Sequence, residues 1–233
     1  MIGNRLELLS IHIPKTGGSS FQKSLQALYG EAAFQRLDFT VRERDGRSRM
    51  VATNRTSQEF LDTIAHRGQL PETVKVLHGH FHYEDAAKFF ELQPEIKVLT
   101  WLRDPVRRIV SNYHYIISRF EQEIEHTALS RQLFKRLLKS QAEFAAHPRD
   151  THLYPDYLRG RELEDYAFIG IIEEYDSELR RLAKILGVGD VPHFEVNKAR
   201  QKAPALEDAL EAALIALNEK NLEIYNRALK IKA

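Results

Sequence analysis

The sequence predicts an α/β fold with a mostly parallel central sheet of about four strands flanked by helices, in one domain spanning residues 1–233. Three observations lead to this prediction. Short apolar runs that suit buried parallel strands recur along the chain. Segments with helical periodicity separate these runs. Polar or glycine-rich turns follow the first runs directly, as they do where a strand passes into a helix.

The composition is that of an ordinary soluble globular protein. Hydrophobic residues make up 43% and charged residues 29% of the chain, and the formal net charge is +1. This balance gives no indication of a nucleic-acid partner, so a basic patch would have to be local. The absence of cysteine excludes disulfides, thiolate metal sites and cysteine nucleophiles. Because no stretch has the pattern of a leader peptide or of a membrane span, we expect a soluble, cytoplasmic protein without a transmembrane segment.

The first strand and the first helix lie on either side of a glycine-rich turn. The apolar run from Leu6 to Ile13 suits a buried strand, and Pro14 ends it because proline has no backbone N–H. Apolar residues then recur at i, i+4 and i+7, on one helical face, until Gly30 ends the helix. These helical positions are Phe21, Leu25 and Leu28.

The turn itself, PKTGGSS over residues 14–20, has the composition of a phosphate cradle. Gly17 and Gly18 lack the Cβ atoms that would keep backbone amides away from a ligand. The helix N-terminus that follows carries unpaired amides and a partial positive charge, which favour an anion. One cation and three hydroxyls lie at the same place: Lys15, Thr16, Ser19 and Ser20. The alternative is an ordinary strand–helix turn with a solvated lysine.

This loop is P-loop-like in its position, yet it is not a Walker A loop. The Walker A pattern places its lysine after the last glycine, where the helix begins. Here Lys15 precedes the glycine pair and comes directly after the strand region. An ATP-dependent enzyme would therefore need a divergent version of the loop.

Residues 31–56 form an irregular and basic stretch. Alternation in residues 38–44 and 49–53, on either side of Asp45-Gly46, predicts a short hairpin. A short helix over residues 58–66, capped by Ser57, should follow. The arginines of the stretch could receive an anionic acceptor such as an acidic glycan, or could belong to a solvated loop. They are Arg36, Arg42, Arg44, Arg47, Arg49 and Arg55.

A second strand, Val74 to Leu77, runs straight into the sequence HGHFH over residues 78–82. Ligands of α/β sheets bind beyond the carboxyl ends of the strands, so these histidines should face the same crevice as Lys15. On an extended segment they share one side, unless Gly79 interrupts the alternation. A histidine in this place can act as a general base near neutral pH, whereas metal binding and a structural role are the alternatives. The three histidines are His78, His80 and His82.

The third strand, Ile96–Leu102, is followed at once by RDPVRRIVSNYHY. Asp104 is a good N-cap and Pro105 suits the first helical position, so a helix should begin here. Arg103 at the strand end and Ser111 on the helix can converge on one phosphate if the helix folds back toward the tip of the strand. The alternative is a capped helix with solvated arginines.

The second half of the chain continues the alternation of helices and strands. The predicted elements are helices over residues 116–147, the second of them from Ser130, a fourth strand over Tyr166–Ile172, a helix from Glu174 or Asp176 to Gly187, and a final helix over Leu206–Leu229. Loops carry specificity on rigid scaffolds, so the polar and aromatic loop over residues 147–160 is either a source of acceptor contacts or simply surface. Its candidate contacts are His152, Tyr154 and Tyr157.

Taken in chain order, the stretches PKTGGSS, HGH and RDPxxRxxS resemble motifs of sulfotransferases that use 3′-phosphoadenosine 5′-phosphosulfate (PAPS). The run HGHFHYEDAAKF is most similar to the heparan sulfate and uronyl 2-O-sulfotransferases. The strand and helix over residues 168–187 and the final helix also resemble their counterparts in this family. The resemblance implies one sulfotransferase domain that moves a sulfuryl group from PAPS to a hydroxyl acceptor, expected to be a sugar or a glycan.

The same resemblance assigns roles to individual residues. It makes His80 the catalytic base, with His78 as its partner or as a substrate contact, and requires no metal ion. Lys15 would neutralise the charge that develops on the departing phosphate. The implied PAPS contacts are Lys15, Thr16, Gly17, Gly18, Ser19 and Ser20 in the first loop, Arg103 and Ser111 at the 3′-phosphate with Arg108 in support, and Asn197, Lys198 and Arg200 in a loop that closes over the nucleotide.

Two other functions stay open from the sequence. A small-molecule kinase would use the divergent loop together with ATP and Mg²⁺. A non-enzymatic sensor would bind the desulfated nucleotide without turnover. A nucleotide panel separates the three functions, because only the sulfotransferase consumes PAPS when an acceptor is present.

Overall fold

The computed structural model describes residues 2–122, 140–196 and 206–232, which divide into two compact units. The first, which we call the sheet unit, comprises residues 2–102 and 156–196 and Lys232. The second, which we call the helical unit, comprises residues 103–122, 140–155 and 206–231. The helix predicted from Ser130 and the loop residues Asn197, Lys198 and Arg200 lie outside the described residues.

The strands of the described residues all lie in the sheet unit. They are β1 Leu8–Ile11, β2 Phe34–Arg36, β3 Phe39–Arg44, β4 Arg47–Ala52, β5 Val76–Gly79, β6 Lys97–Leu102 and β7 Phe168–Ile171. Five of them form one sheet in the order β2-β5-β1-β6-β7, and every neighbouring pair in it is parallel. The predicted α/β class with a mostly parallel sheet is confirmed, with one strand more than predicted.

Strand β1 lies at the centre of this sheet, between β5 and β6. Leu8 of β1 is in register with Val76 on one side and with Lys97 on the other. All four residues of β1 are buried, as expected for a strand that is covered on both faces. The additional strand, β2, has three residues inside the basic stretch, too few for its pattern to stand out.

The hairpin predicted around Asp45-Gly46 is confirmed as β3 and β4. Both turn residues have positive φ, 53° and 71°, which is the conformation that Asp-Gly favours in a two-residue hairpin turn. The register places Arg42 opposite Arg49 and Arg44 opposite Arg47. Because side chains alternate along a strand, these four exposed arginines share one face of the hairpin.

The helices within the described residues are α1 Gly18–Tyr29, α2 Arg55–Arg67, α3 Tyr83–Phe89, α4 Pro105–Gln122, α5 Gln141–Ala145, α6 Pro148–Thr151, α7 Leu153–Leu158, α8 Tyr175–Leu186, α9 Asp208–Leu217 and α10 Glu219–Lys232. Gly30 and Gly187 end α1 and α8 at positive φ, as predicted. The predicted cap of α2 is wrong. Asn54 caps this helix by accepting from the Ser57 backbone N–H, while the Ser57 hydroxyl accepts from the Asp38 N–H.

Helices α1 and α8 pack against the strands of the sheet unit in one hydrophobic cluster. Trp101 of β6 contacts the rings of Phe21 and Phe168, with centroids 5.3 Å apart in each pair. Aromatic rings in edge contact add to the stability that burial supplies. Other members of this cluster are Leu8, Leu25, Val76, Leu99, Leu179 and Leu182.

The helical unit has a cluster of its own, formed by α4, α5 and α9 around Ile109, Ala145 and Leu214. Helix α4 begins as predicted, at Pro105, and Asp104 Oδ1 accepts from the Arg107 N–H at 2.8 Å. The final helix predicted over residues 206–229 is two helices. They break at the buried Asn218, whose Nδ2 donates to the Leu214 carbonyl at 2.9 Å and so ends α9. No helix in the described part of the chain is both long and apolar enough to cross a membrane.

Candidate active site

The turn between β1 and α1 has the geometry of an anion site at a helix N-terminus. Gly17 occupies the N-cap position at φ +81°, and no side chain caps the helix within the described residues. The Ser20 N–H donates to the Gly17 carbonyl at 3.1 Å, so the amides of Gly18 and Ser19 are the ones that a helix N-terminus offers to an anion here. Lys15 also has a positive φ, of 69°, which is a strained conformation for a residue with a Cβ atom.

The hydroxyl groups of this loop differ in their availability. Thr16 is buried, and its hydroxyl donates to the Ile13 carbonyl at 2.8 Å. Its one hydroxyl hydrogen is therefore already used in a bond within the loop. Ser20 Oγ accepts from the Val196 N–H at 3.1 Å and retains a proton that it can donate. Among the predicted hydroxyl ligands, Ser20 is therefore better suited than Thr16 to donate to an anion.

Gly17 suits its positive φ, and both glycines of the loop leave space that neighbouring side chains fill. A Cβ on Gly18 would lie 1.8 Å from His12 Nε2, and one on Gly17 would lie 2.3 Å from Ile172 Cδ1. Neither distance is compatible with a larger residue unless the neighbour moves. The ring of His12 is therefore in close contact with the first turn of α1.

His12 belongs to a group of three stacked imidazoles, which we call the histidine stack: His12, His78 and His80. The ring centroids of His12 and His80 are 4.0 Å apart, and those of His12 and His78 are 5.2 Å apart. Sequence reasoning did not predict a role for His12. The signal that the sequence offers is the position of His12 in SIHIPK, two residues after Ser10. In the structure the Ser10 hydroxyl lies 2.9 Å from His78 Nδ1.

The hydrogen bonds of His80 determine its tautomer. His80 Nδ1 lies 2.6 Å from the His12 carbonyl oxygen, and a carbonyl can only accept. Nδ1 therefore carries the hydrogen, and Nε2 carries the lone pair. Burial lowers the pKa of His80 below 6.5, while the Asp38 carboxylate and the bond to the His12 carbonyl act in the opposite direction. The ring is neutral at pH 7, as a general base must be.

The other two members of the stack are less suited to accept a proton. Burial, with a smaller contribution from His80, lowers the pKa of His78 to about 3. Burial also holds the pKa of His12 well below 6.5, with smaller contributions from His80 and His78. Of His78 and His80, His80 is therefore the better suited to accept a proton.

His82 is not part of the stack, so of the three histidines His78 and His80 lie together, and the alternation expected on an extended segment does not reach His82. β5 ends at Gly79, and His82 is the N-cap residue of α3, with Nδ1 3.1 Å from Asp85 Oδ2. Its ring contacts Tyr157 edge-on. Gly79 is needed because a Cβ there would lie 2.0 Å from the Leu37 carbonyl oxygen.

In the helical unit, Arg103 is held through its backbone. The Tyr154 hydroxyl donates to the Arg103 carbonyl and accepts from the Arg103 N–H. Tyr154 is fully buried, and its own N–H donates to Asn221 Oδ1 at 3.0 Å. The interpretation of Tyr154 as an acceptor contact is therefore wrong, because its side chain is enclosed by protein. Of its two companions, His152 is exposed beside Thr151, and Tyr157 lies against His82 in the sheet unit.

Arg108 and Ser111 lie three residues apart on α4, but their surroundings differ. Arg108 is 1% exposed, and its guanidinium forms an ion pair with Asp150 Oδ1 at 3.1 Å. Asn112 also donates to this carboxylate. Ser111 is only partly buried. The Arg108 guanidinium is thus used within the helical unit, and its predicted support of the 3′-phosphate stays a prediction.

No metal centre is seen within residues 2–122, 140–196 and 206–232, where no group of three histidine or carboxylate side chains is arranged to hold an ion.

A sequence profile described as "Sulfotransferase family" matches residues 1–226. The chain belongs to the sulfotransferase family. No curated protein sequence matches this chain significantly.

Two of the solved structures that are similar to this chain match most of its length. The mouse sulfotransferase SULT7A1 complexed with PAP is 13% identical with a TM-score of 0.41, and covers 93% of this chain. A sulfotransferase from Alicyclobacillus acidocaldarius is 15% identical with a TM-score of 0.42, and covers 94%. This chain spans 64% of the mouse protein and 96% of the bacterial one.

Proposed function

We propose that this sulfotransferase transfers the sulfuryl group of PAPS to a hydroxyl of a sugar or glycan, with His80 as the general base. The observation that supports this most strongly is the tautomer of His80. Its Nδ1 hydrogen is directed to the His12 carbonyl, so a neutral ring retains the Nε2 lone pair for a hydroxyl proton. The ring of His12 contacts both His80 and the position of Gly18, which puts this base next to the anion loop.

The loop is proposed to hold the 5′-phosphosulfate end of PAPS. Lys15 supplies the positive charge, and the first amides of α1 and the Ser20 hydroxyl supply donors. The charge of the reaction develops on the phosphate that departs, so donors in fixed positions stabilise the transition state more than the ground state. Lys15 therefore serves the chemical step as well as binding.

The transfer is an in-line displacement at sulfur, comparable to phosphoryl transfer. The acceptor oxygen forms a bond to sulfur while His80 Nε2 takes its proton. The bond between sulfur and the bridging oxygen of the 5′-phosphate breaks, and its electron pair stays on that phosphate. The product is 3′-phosphoadenosine 5′-phosphate (PAP), with Arg103 and Ser111 assigned to its 3′-phosphate by the resemblance of RDPxxRxxS.

The arginine face of the β3–β4 hairpin supports an acidic acceptor. Like charges directly opposite each other destabilise a two-stranded ladder, and here two such pairs are adjacent: Arg42 with Arg49, and Arg44 with Arg47. Carboxylates or sulfates of a glycan would relieve this repulsion through charge-assisted hydrogen bonds.

The test combines binding with an acceptor screen. Calorimetry should detect binding of PAP and weaker binding of an analogue without the 3′-phosphate. Sulfur-labelled PAPS should then label an acidic glycan in preference to its neutral counterpart, to lipids or to small alcohols. Binding of ATP with Mg²⁺ in preference to PAP would overturn the proposal, as would PAP binding without transfer to any hydroxyl acceptor.

A further inference from the structure

Asp38 is a buried carboxylate next to His80, on the segment that joins β2 to β3. Its Oδ1 accepts from the His80 backbone N–H at 2.8 Å. Its Oδ2 accepts from Asn54 Nδ2 at 2.7 Å and from Arg36, whose Nε and terminal nitrogen each lie 3.0 Å away. All of these partners are donors, so they complement a carboxylate rather than a carboxylic acid.

The backbone brings Asp38 to this place by continuing the ladder of β2 and β5. Leu37 N–H donates to the His78 carbonyl, and Phe39 N–H donates to the His80 carbonyl. Asp38 therefore lies between two ladder bonds, opposite the glycine of HGH. A Cβ on Gly79 would lie 2.8 Å from Asp38 Oδ1, so glycine is the residue that admits the carboxylate.

The charged and titratable groups that face His80 come from three segments. His12 lies on the turn after β1, His78 precedes it on β5, and Arg36 and Asp38 lie on and after β2. His12 and His78 are held neutral by burial. Of the two charged groups, Asp38 favours the protonated form of His80, and Arg36 opposes it. When His80 takes a proton, Asp38 is thus the group that compensates the new charge.

We propose that Asp38 is a positioning residue for His80, holding the histidine's backbone and supplying the buried negative charge that stabilises its imidazolium. The proposal rests on His80 being the base, as argued above. Asp38 contacts the backbone of His80 rather than its ring, because the ring Nδ1 hydrogen is directed to the His12 carbonyl. The His12 carbonyl therefore orients the His80 ring, while Asp38 holds the His80 backbone and supplies the compensating charge.

The experiment compares Asp38→Asn with Arg36→Gln and with the double variant. Two-dimensional NMR of the histidine rings, with the His80 signal assigned from its absence in His80→Gln, gives the titration midpoint of His80 without requiring turnover. Removing Asp38's charge should move this midpoint to lower pH. Removing Arg36's charge should move it to higher pH, and the double variant should titrate close to the wild type. Turnover of Asp38→Asn at saturating PAPS should fall by roughly 10-fold, part of the ~10²–10⁴-fold that a general base contributes.

A purely structural role for Asp38 predicts a different pattern. The His80 midpoint would then stay in place in folded Asp38→Asn, or would move in the same direction in both single variants, and either result overturns the proposal. Failure of the proposed function is recognised separately. If the midpoints move as expected while His80→Ala retains full turnover, the base is another residue, and the effect of Asp38 on the charge of His80 still stands.

Discussion

The imidazole ring of His12 stacks on that of His80, with centroids 4.0 Å apart and ring planes inclined by 25°. The two residues are 68 positions apart, and a second link joins them where His80 Nδ1 donates to the His12 carbonyl. The His12 ring also borders the first turn of α1, since a Cβ on Gly18 would lie 1.8 Å from His12 Nε2. His12 therefore connects the proposed base to the first turn of the helix that is proposed to bind the sulfate donor.

Replacing His80 with alanine should reduce turnover by roughly 10²–10⁴-fold, because the acceptor hydroxyl loses the group that takes its proton. The affinity for PAP, measured by calorimetry, should change little, since other residues hold the nucleotide. His82→Ala is the matched control, because His82 contacts Asp85 and Tyr157 rather than the histidine stack. A large loss in His82→Ala, with His80→Ala unaffected, would contradict the assignment of the base.

The histidine stack should make the free energy of unfolding fall as the solution is acidified below about pH 6.5. The folded pKa of each ring is lowered by burial, so below that pH the unfolded chain binds protons that the folded chain does not. The contribution of each histidine is fully present above the unfolded pKa and is lost as the pH falls toward its folded pKa. For His78 this window extends down to about 3.

Urea denaturation at a series of pH values measures this effect. Each histidine in its window should contribute roughly 1.4 kcal/mol per pH unit to the slope. His12→Phe should flatten the slope between about pH 6.5 and 5 relative to the wild type. His66→Gln, at an exposed position on α2 away from the stack, serves as the control. Equal slopes in all three proteins would contradict a neutral, buried stack.

Gly18→Ala should destabilise the fold by roughly 1–3 kcal/mol, because its Cβ would overlap the His12 ring. The double variant His12→Ala/Gly18→Ala should recover part of this loss, since the space vacated by the ring admits the methyl group. Thermal or urea unfolding of the two single variants and the double variant gives the coupling energy directly. Additive effects would mean that the two residues do not touch as described.

Local patterns predicted much of the fold. The buried run of β1 indicated a parallel strand, Asp104 and Pro105 indicated the beginning of α4, and Asp45-Gly46 indicated the hairpin turn. Each of these signals lies within a few residues of the feature it specifies, so no tertiary information was needed. The PKTGGSS loop, the histidines of HGH and Arg103 are indicated in the same way, because each directly follows a predicted strand.

The remaining features depend on contacts between distant residues. Asp38 reaches His80 across 42 positions, and His12 reaches it across 68, so neither relationship has a local pattern. The sequence explains Gly18 by access for a ligand, and the structure adds a second reason, the ring of His12. The sequence offers Tyr154 as a candidate acceptor contact because it lies in a polar and aromatic segment. In the structure its side chain is buried, and its N–H donates to Asn221, 67 positions away, which no local pattern indicates.

The Tyr154 hydroxyl is expected to support recognition of the 3′-phosphate by fixing the backbone of Arg103. Arg103→Ala should weaken PAP binding by roughly 1.5–3 kcal/mol, the usual contribution of a charge-assisted hydrogen bond. Tyr154→Phe should cost less, about 0.5–1.5 kcal/mol, because the guanidinium is still present but its backbone is no longer held on both sides.

Calorimetry with PAP and with an analogue that lacks the 3′-phosphate distinguishes this effect from general damage. Both variants should weaken PAP binding and leave the affinity for the analogue nearly unchanged, so the preference for PAP should shrink in both. Tyr157→Phe, in which a hydroxyl is removed from a tyrosine that lies against His82 instead, should keep the full preference. If Tyr154→Phe weakened the two nucleotides equally, the hydroxyl would stabilise the helical unit as a whole. Arg103 would then not depend on it for recognising the 3′-phosphate.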